Sequence, residues 1–223
     1  YRNAAALFPW SNWAADSMIN DYGADPSRVH VIPPGVVIDD WATDRSIKNP
    51  SEKVHILFVG GEFFRKGGDL LLDWAATTKL KNWHLHLVTQ RKVINTDTRV
   101  TVHNGLSPND PALMQLFRDA DIFALPTRGD CYSIAAIEAM ATGLPVILSL
   151  TGGTGDIIRD GVTGYLIEPE NVVDLKEKLE TLIADPEARF SMGLAARQDV
   201  EARYDATRNI QQTLTIMRKT LGQ

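Results

Sequence analysis

Between residues 54 and 150 short apolar runs alternate with amphipathic stretches, and this alternation restricts the fold more than any other feature of the chain. Strand-like runs lie at 54–59, 85–88, 122–125 and 146–150, with a further strand containing Val102. Helix-period stretches lie at 69–78, 111–118 and 132–142. Such an order is buried most economically by parallel strands joined through right-handed crossovers, with helices on both faces. The expected fold is therefore an α/β, doubly wound parallel sheet. Leu166 and Ile167 end the strand series, and 172–184, 187–203 and 206–221 read as closing helices, the first two parted by Asp185-Pro186. Ahead of the sheet, 4–8, 10–22 and 29–32 form a short run, a helix-like stretch and another short run, too little to bury themselves. Pro33-Pro34-Gly35 then forces a turn, and the polar stretch 43–53, with Pro50, reads as a linker. The boundaries expected are 1–50 for the end of a preceding unit plus linker, 51–205 for the sheet domain and 206–223 for a C-terminal helix.

A chain of 223 residues, 44% hydrophobic and 23% charged, can bury one good core. With 23 Lys and Arg against 28 Asp and Glu, the net charge of -5 gives no overall basic field, so no nucleic-acid partner is expected and any anion must be held locally. The apolar runs fall far short of the roughly 20 residues that span a bilayer. A single cysteine, Cys131, excludes an internal disulfide and suits a reducing compartment, so the expected setting is the cytoplasm.

Three loops fall beyond the carboxyl ends of strands, where open α/β sheets bind ligands. The first, 60–68, carries Gly60, Gly61, Arg65 and Lys66; its glycines permit close backbone approach and its cations suit a phosphate-sized anion. The second, 127–132, leads into a helix whose first amides, those of Tyr132, Ser133 and Ile134, are free donors for an anion. Asp130 precedes that helix and either accepts hydrogen bonds from ligand hydroxyls or caps the helix. Ile134, Ile137, Glu138 and Ala141 share one helix face, so Glu138 places a carboxylate in a stripe that should be apolar. A buried carboxylate needs a partner, and a ligand hydroxyl is one. The third loop, 151–156, brings Gly152 and Gly153. Each loop read alone is equally an ordinary turn; together they suggest a site for a sugar phosphate.

The ordered motifs V-I-P-P-G-V at 31–36, R-K-G-G at 65–68, P-T-R-G-D-C-Y-S-I-A-A-I-E-A-M-A-T-G-L-P-V at 126–146 and D-G-V-T-G-Y-L-I at 160–167 resemble retaining glycosyltransferases of GT-B architecture. They look like the donor-binding, C-terminal half of family-four enzymes, over nearly the whole chain. The resemblance implies a Rossmann-like nucleotide-sugar-binding domain that lacks its acceptor-binding, N-terminal partner domain and by itself binds nucleotide without turnover. In that family two acidic residues separated by seven others close on the donor, and here they fall on Asp130 and Glu138. Glu138 is then expected to hold the ribose hydroxyls and Asp130 to face the transferred sugar. The amides after Cys131 and Lys66 would hold the diphosphate, and Lys66, Arg65 and the helix N-terminus would stabilise the departing phosphate. No cofactor or metal enters this scheme. The partners implied are a nucleotide sugar and an acceptor (a glycan, a lipid or a small molecule), with peripheral membrane contact through the missing domain.

Two positions depart from the family pattern. Asp130 stands where glutamate is usual, retracting the carboxylate by one methylene, and Gly61 stands where arginine often follows the glycine after the first strand, leaving Arg65 to supply the charge. Competing functions are a sugar-nucleotide epimerase of related build and a non-catalytic nucleotide-binding module. His84 and His86 share a strand face and either ligate a metal or pack as hydrogen-bonded histidines. Cys131 at a helix N-terminus reads as a loop residue lining the donor pocket rather than a nucleophile. His103 and Asn104, after Val102, are placed near the base, and the tryptophans at 10, 13, 41, 74 and 83 read as packing residues.

Overall fold

The protein is described by a computed structural model covering residues 1, 3–47 and 52–222. The apolar runs pair into one sheet, made of β1 (Val54–Val59), β2 (Trp83–Val88), β3 (Val100–His103), β4 (Ile122–Leu125), β5 (Val146–Ser149) and β6 (Gly164–Ile167). Its order is β3-β2-β1-β4-β5-β6, with every neighbouring pair parallel. β4 and β5 are buried at every position, which is why their sequences are continuously apolar rather than alternating. β3 is an edge strand bearing Thr101 and His103, and its polar character leaves the expected strand around Val102 without legible bounds in the sequence.

Among the described residues the helices are α1 (Asn12–Asn20), α2 (Gly68–Thr77), α3 (Pro111–Asp119), α4 (Ile134–Ala141), α5 (Val172–Ala184), α6 (Pro186–Arg203) and α7 (Ala206–Thr220). Short acceptor side chains fix several starts: Asp110 caps α3, Asn171 caps α5 and Asp205 caps α7. Asp185 ends α5 and caps α6 by accepting from the Ala188 amide at 2.9 Å, with Pro186 opening that helix. Crossovers from β1 and from β4 travel in opposite directions, so right-handedness puts α2 and α4 on opposite faces, where α2 meets α5 and α4 meets α6.

The segment 29–32, expected as a strand, stays outside the sheet: it makes an isolated bridge from Val29 to Leu7, and the His30 and Ile32 amides donate to the Leu7 and Pro9 carbonyls. Val36 is stitched to the start of α7: its amide donates to the Tyr204 carbonyl at 2.9 Å and its carbonyl accepts from the Ala206 amide at 3.1 Å. Of the expected 43–53 linker, residues 48–51 lie outside the described residues. No described helix is long and apolar enough to cross a membrane.

Candidate donor site at the switch point of the sheet

Because β1 and β4 are neighbours whose crossovers diverge, the loops after them flank the crevice where the strand order reverses. These are the first two loops read from the sequence, and the fold ties them together closely. Lys66 Nζ donates to Asp130 Oδ2, with the two side chains 17% and 9% exposed, so this ion pair lies largely out of water. Arg65 Nη1 donates to the Gly129 carbonyl at 2.7 Å, while the Arg65 carbonyl accepts from the Arg128 amide at 2.8 Å and from Thr127 Oγ1 at 3.1 Å. Arg65 Nη2 also holds Glu62 Oε1 at 2.7 Å on the exposed rim.

Arg128 received no role from the sequence, yet it is the main fastener. It donates to both oxygens of Asp69 at 2.8 Å, to Glu170 Oε1 at 2.9 Å and to the Phe64 carbonyl. A planar guanidinium can hold such a fork, whereas a lysine cannot. The paired carboxylates hold Arg128 more firmly in its charged form than is usual for arginine. Its partners are distant in sequence, so a hint lies only in an arginine placed six residues before a helix at the mouth of the sheet.

Gly67 allows the two loops to approach. Its φ is +78°, and a Cβ there would lie 1.9 Å from the Pro126 carbonyl oxygen. The third loop closes on the second in the same way. Gly152, at φ +53°, would bring a Cβ within 2.4 Å of the Asp130 carbonyl oxygen, and the Gly153 amide donates to the Cys131 carbonyl at 2.9 Å. These two glycines therefore serve loop-on-loop packing. Gly60 lies against Phe58 and the Lys66 stem, and Gly61 alone of these five faces open space, its nearest contact being Gln90 at 4.0 Å.

α4 begins at Ile134 rather than Tyr132, since Ser133 takes the cap and accepts from the Ala136 amide at 3.3 Å. The free amides of its first turn thus start at Ile134, and Asp130, which stays with Lys66, is not the cap. Ile134 is 37% exposed, not buried as the helical stripe suggests, whereas Ile137 and Ala141 are buried. Glu138, one step along that stripe, is half-buried and has no hydrogen-bond or ion-pair partner among the described residues. Burial pushes its carboxyl up to about 7. Cys131 is exposed in the loop. The Tyr132 ring turns away toward Tyr204, the two hydroxyls 3.3 Å apart, and burial of its phenol drives its pKa well above the usual value.

His103 does not join the loops through its side chain. Its Nε2 lies 3.1 Å from His86 Nδ1, and His86 Nε2 lies 3.0 Å from His55 Nδ1, so three imidazoles form a row across β1, β2 and β3. His84 sits beside the row and reaches Thr101 Oγ1 at 2.8 Å. The packed, hydrogen-bonded alternative for His84 and His86 is the one observed, and no group of three or more residues placed to hold a metal occurs among the described residues.

A doubly wound sheet of this order, with loops knotted over its switch point, is a Rossmann-like domain of the GT-B type. The chain belongs to the group 1 glycosyl transferases, whose family pattern matches residues 39–199. It is 29% identical over 204 residues to the D-inositol 3-phosphate glycosyltransferase of Arthrobacter sp. (strain FB24), covering 82% of this chain and 48% of that protein. In structure it is similar to the sucrose-phosphate synthase of Thermosynechococcus elongatus, with a TM-score of 0.83 at 21% identity, covering 99% of this chain and 59% of the other. It is likewise similar to Anabaena Alr3699/HepE solved with UDP and glucose, with a TM-score of 0.80 at 19% identity, covering 97% and 64%. The chain spans about half the length of the curated relatives it matches.

Proposed function

We propose that this chain is the donor half of a retaining glycosyltransferase, residues 51–205 binding a nucleoside-diphosphate sugar in the crevice between the β1 and β4 loops. The observation that carries this reading is the convergence there of the Lys66–Asp130 pair with the first turn of α4, one turn along which lies the unpartnered Glu138. Support comes from the family, from relatives named for glycosyl transfer and from a structural neighbour solved with UDP and glucose. In this reading Glu138 accepts from ribose hydroxyls and Asp130 faces the sugar. Lys66, with the amides at Ile134 and beyond, meets the diphosphate, whose negative charge is favoured at a helix N-terminus. Gly61 leaves open backbone toward the same ligand.

Transfer breaks the bond between the anomeric carbon and the diphosphate oxygen, and the electron pair leaves with the phosphate. The acceptor oxygen then bonds to the anomeric carbon on the face just vacated, and its proton passes to the departing phosphate oxygen. Cations and amides fixed before the reaction stabilise the charge on the leaving group without a metal. Removing one such donor typically costs about 100-fold to 1,000-fold in rate. The acceptor, and any contact with a membrane surface, belongs to the remainder of a protein of the relatives' length.

Calorimetric titration of the chain with UDP, GDP and ADP sugars tests the binding half of this proposal. Lys66→Ala is expected to weaken the best ligand at least about tenfold, as loss of a charge-assisted contact should, when measured below a melting temperature that is itself lowered because Asp130 loses its partner. Undiminished affinity would remove Lys66 from the donor site.

A further inference from the structure

The first two loops carry three cationic side chains, and each already holds a carboxylate: Arg65 holds Glu62, Lys66 holds Asp130, and Arg128 holds Asp69 and Glu170. A diphosphate reaching this crevice therefore cannot simply occupy a waiting positive charge. One of the pairs must give way. Arg128 is forked onto Asp69 and further held by Glu170, and Arg65 is pinned between Glu62 and the Gly129 carbonyl. Lys66 has a single carboxylate partner and a flexible stem, so its ammonium exchanges partners most readily.

Exchange has a consequence for Asp130. Its side chain is 9% exposed, and without Lys66 it would be a buried carboxylate beside a newly arrived anion, an arrangement with a large penalty unless new hydrogen bonds reach it. Hydroxyls on a sugar attached to the diphosphate can donate those bonds; a bare diphosphate cannot. Resting on the donor-site reading above, we propose that the Lys66–Asp130 pair is an exchange latch that makes the site discriminate against bare nucleoside diphosphate in favour of the sugar-bearing nucleotide. Asp130 thereby acts as a specificity residue before any chemistry, and it also repels the diphosphate left behind after transfer.

If Asp130 were a plain sugar contact, its removal would weaken the conjugate and leave the bare diphosphate unchanged. The latch instead predicts tighter binding of the bare diphosphate. The chain is titrated by calorimetry with UDP, GDP and ADP and with their glucose conjugates, the tightest-binding pair being carried through the variants. The original chain is expected to prefer the conjugate by about tenfold or more, the scale of one hydrogen bond to a charged acceptor. Asp130→Asn should tighten the bare diphosphate about fivefold to tenfold, by freeing Lys66 and removing a like charge, and should bring the preference toward one. Asp130→Ser should do the same, and Asp130→Glu, which can rebuild the pair, should restore the preference. Thermal melts without nucleotide establish that each variant is folded. If Lys66→Ala abolishes binding while Asp130→Asn leaves bare-diphosphate affinity within twofold of the original, the donor site stands and the latch is wrong. If no nucleotide binds the original chain, or Lys66→Ala binds as it does, the donor-site reading falls and the latch with it.

Discussion

Glu138 is at odds with its own surroundings. Its carboxyl sits near 7 in the folded chain against an ordinary 4.5, with burial as the cause. Between those two values the folded state keeps a proton that the unfolded state has released, so stability falls as pH rises from 4.5 to 7 and stays low above it. At about 1.4 kcal/mol per pKa unit, a shift of this size corresponds to about 3 kcal/mol. Glu138→Gln removes the liability, so the variant is expected to melt several degrees above the original chain at pH 8 and to match it near pH 4.5. The same variant loses the charged acceptor for ribose hydroxyls, so affinity for the best nucleotide at pH 8 should drop about tenfold. Melts at the two pH values together with one calorimetric titration check both halves. Equal melting at pH 8 would mean that the carboxylate has a partner, and unchanged affinity would take Glu138 out of the ligand site. A residue that lowers stability while improving binding is expected where function rather than folding sets the choice.

The imidazole row belongs to the scale of elements, since it exists only because β1, β2 and β3 are parallel and in register. His55 pairs with His84 and Leu57 with His86 across β1 and β2, and Val88 pairs with His103 across β2 and β3. Burial and mutual repulsion within the row lower His86 to about 4, and His84 and His103 are lowered mainly by burial. The other charges acting on the row are Lys53, which opposes protonation of His84, and Asp97, which favours it. Unfolded His86 takes a proton near 6.5 and the folded chain resists until about 4, so stability falls as pH drops through that window. Allowing for a group partly open to solvent, the loss is about 1 to 2 kcal/mol. Glu138 slopes the other way from 4.5 upward, so the histidine limb is best read in the Glu138→Gln background. There His86→Gln should flatten the acid decline between pH 6.5 and 4, as denaturant midpoints would record; an unaltered decline would place its source elsewhere. The sequence reveals that His84 and His86 share a face but not that His55 and His103 complete the row, because that depends on register between strands. For the same reason the continuous runs at 54–59 and 122–125 could be bounded to the residue, whereas polar β3 and the start of α4 could not. Tyr132 and Ile134 are equally good openings by periodicity, and only the Ser133 hydroxyl cap decides between them.

At the scale of the whole molecule the helix ends sort the charges. The N-termini of α2 and α4 face the loops where an anion is proposed, and at the opposite edge of the sheet arginines meet helix C-termini. Arg45, from the stretch before β1, donates to the Phe117 and Ala120 carbonyls at the end of α3, at 3.0 and 2.7 Å, and to Thr142 at the end of α4. Arg189 does the same for α5 through the Ile183 carbonyl at 3.0 Å, and Arg197 for α4 through Ala141. Burial lowers Arg45 to about 10, still charged at any physiological pH, with Asp119 and Asp121 offsetting part of the loss. Nothing in the sequence around Arg45 marks it, since every acceptor it uses lies more than seventy residues downstream. Arg45→Ala strands those carbonyls and unties the N-terminal stretch from α3 and α4, which should cost about 2 to 4 kcal/mol in urea denaturation. The loops at the far edge do not depend on these bonds, being fastened by Arg128, Arg65 and Lys66. Nucleotide affinity of Arg45→Ala, measured well below its melting temperature, is therefore expected to stay within twofold of the original. A tenfold loss of affinity would mean that the two edges of the sheet are coupled through α4, whose first turn faces the crevice and whose last carbonyls Arg45 and Arg197 hold.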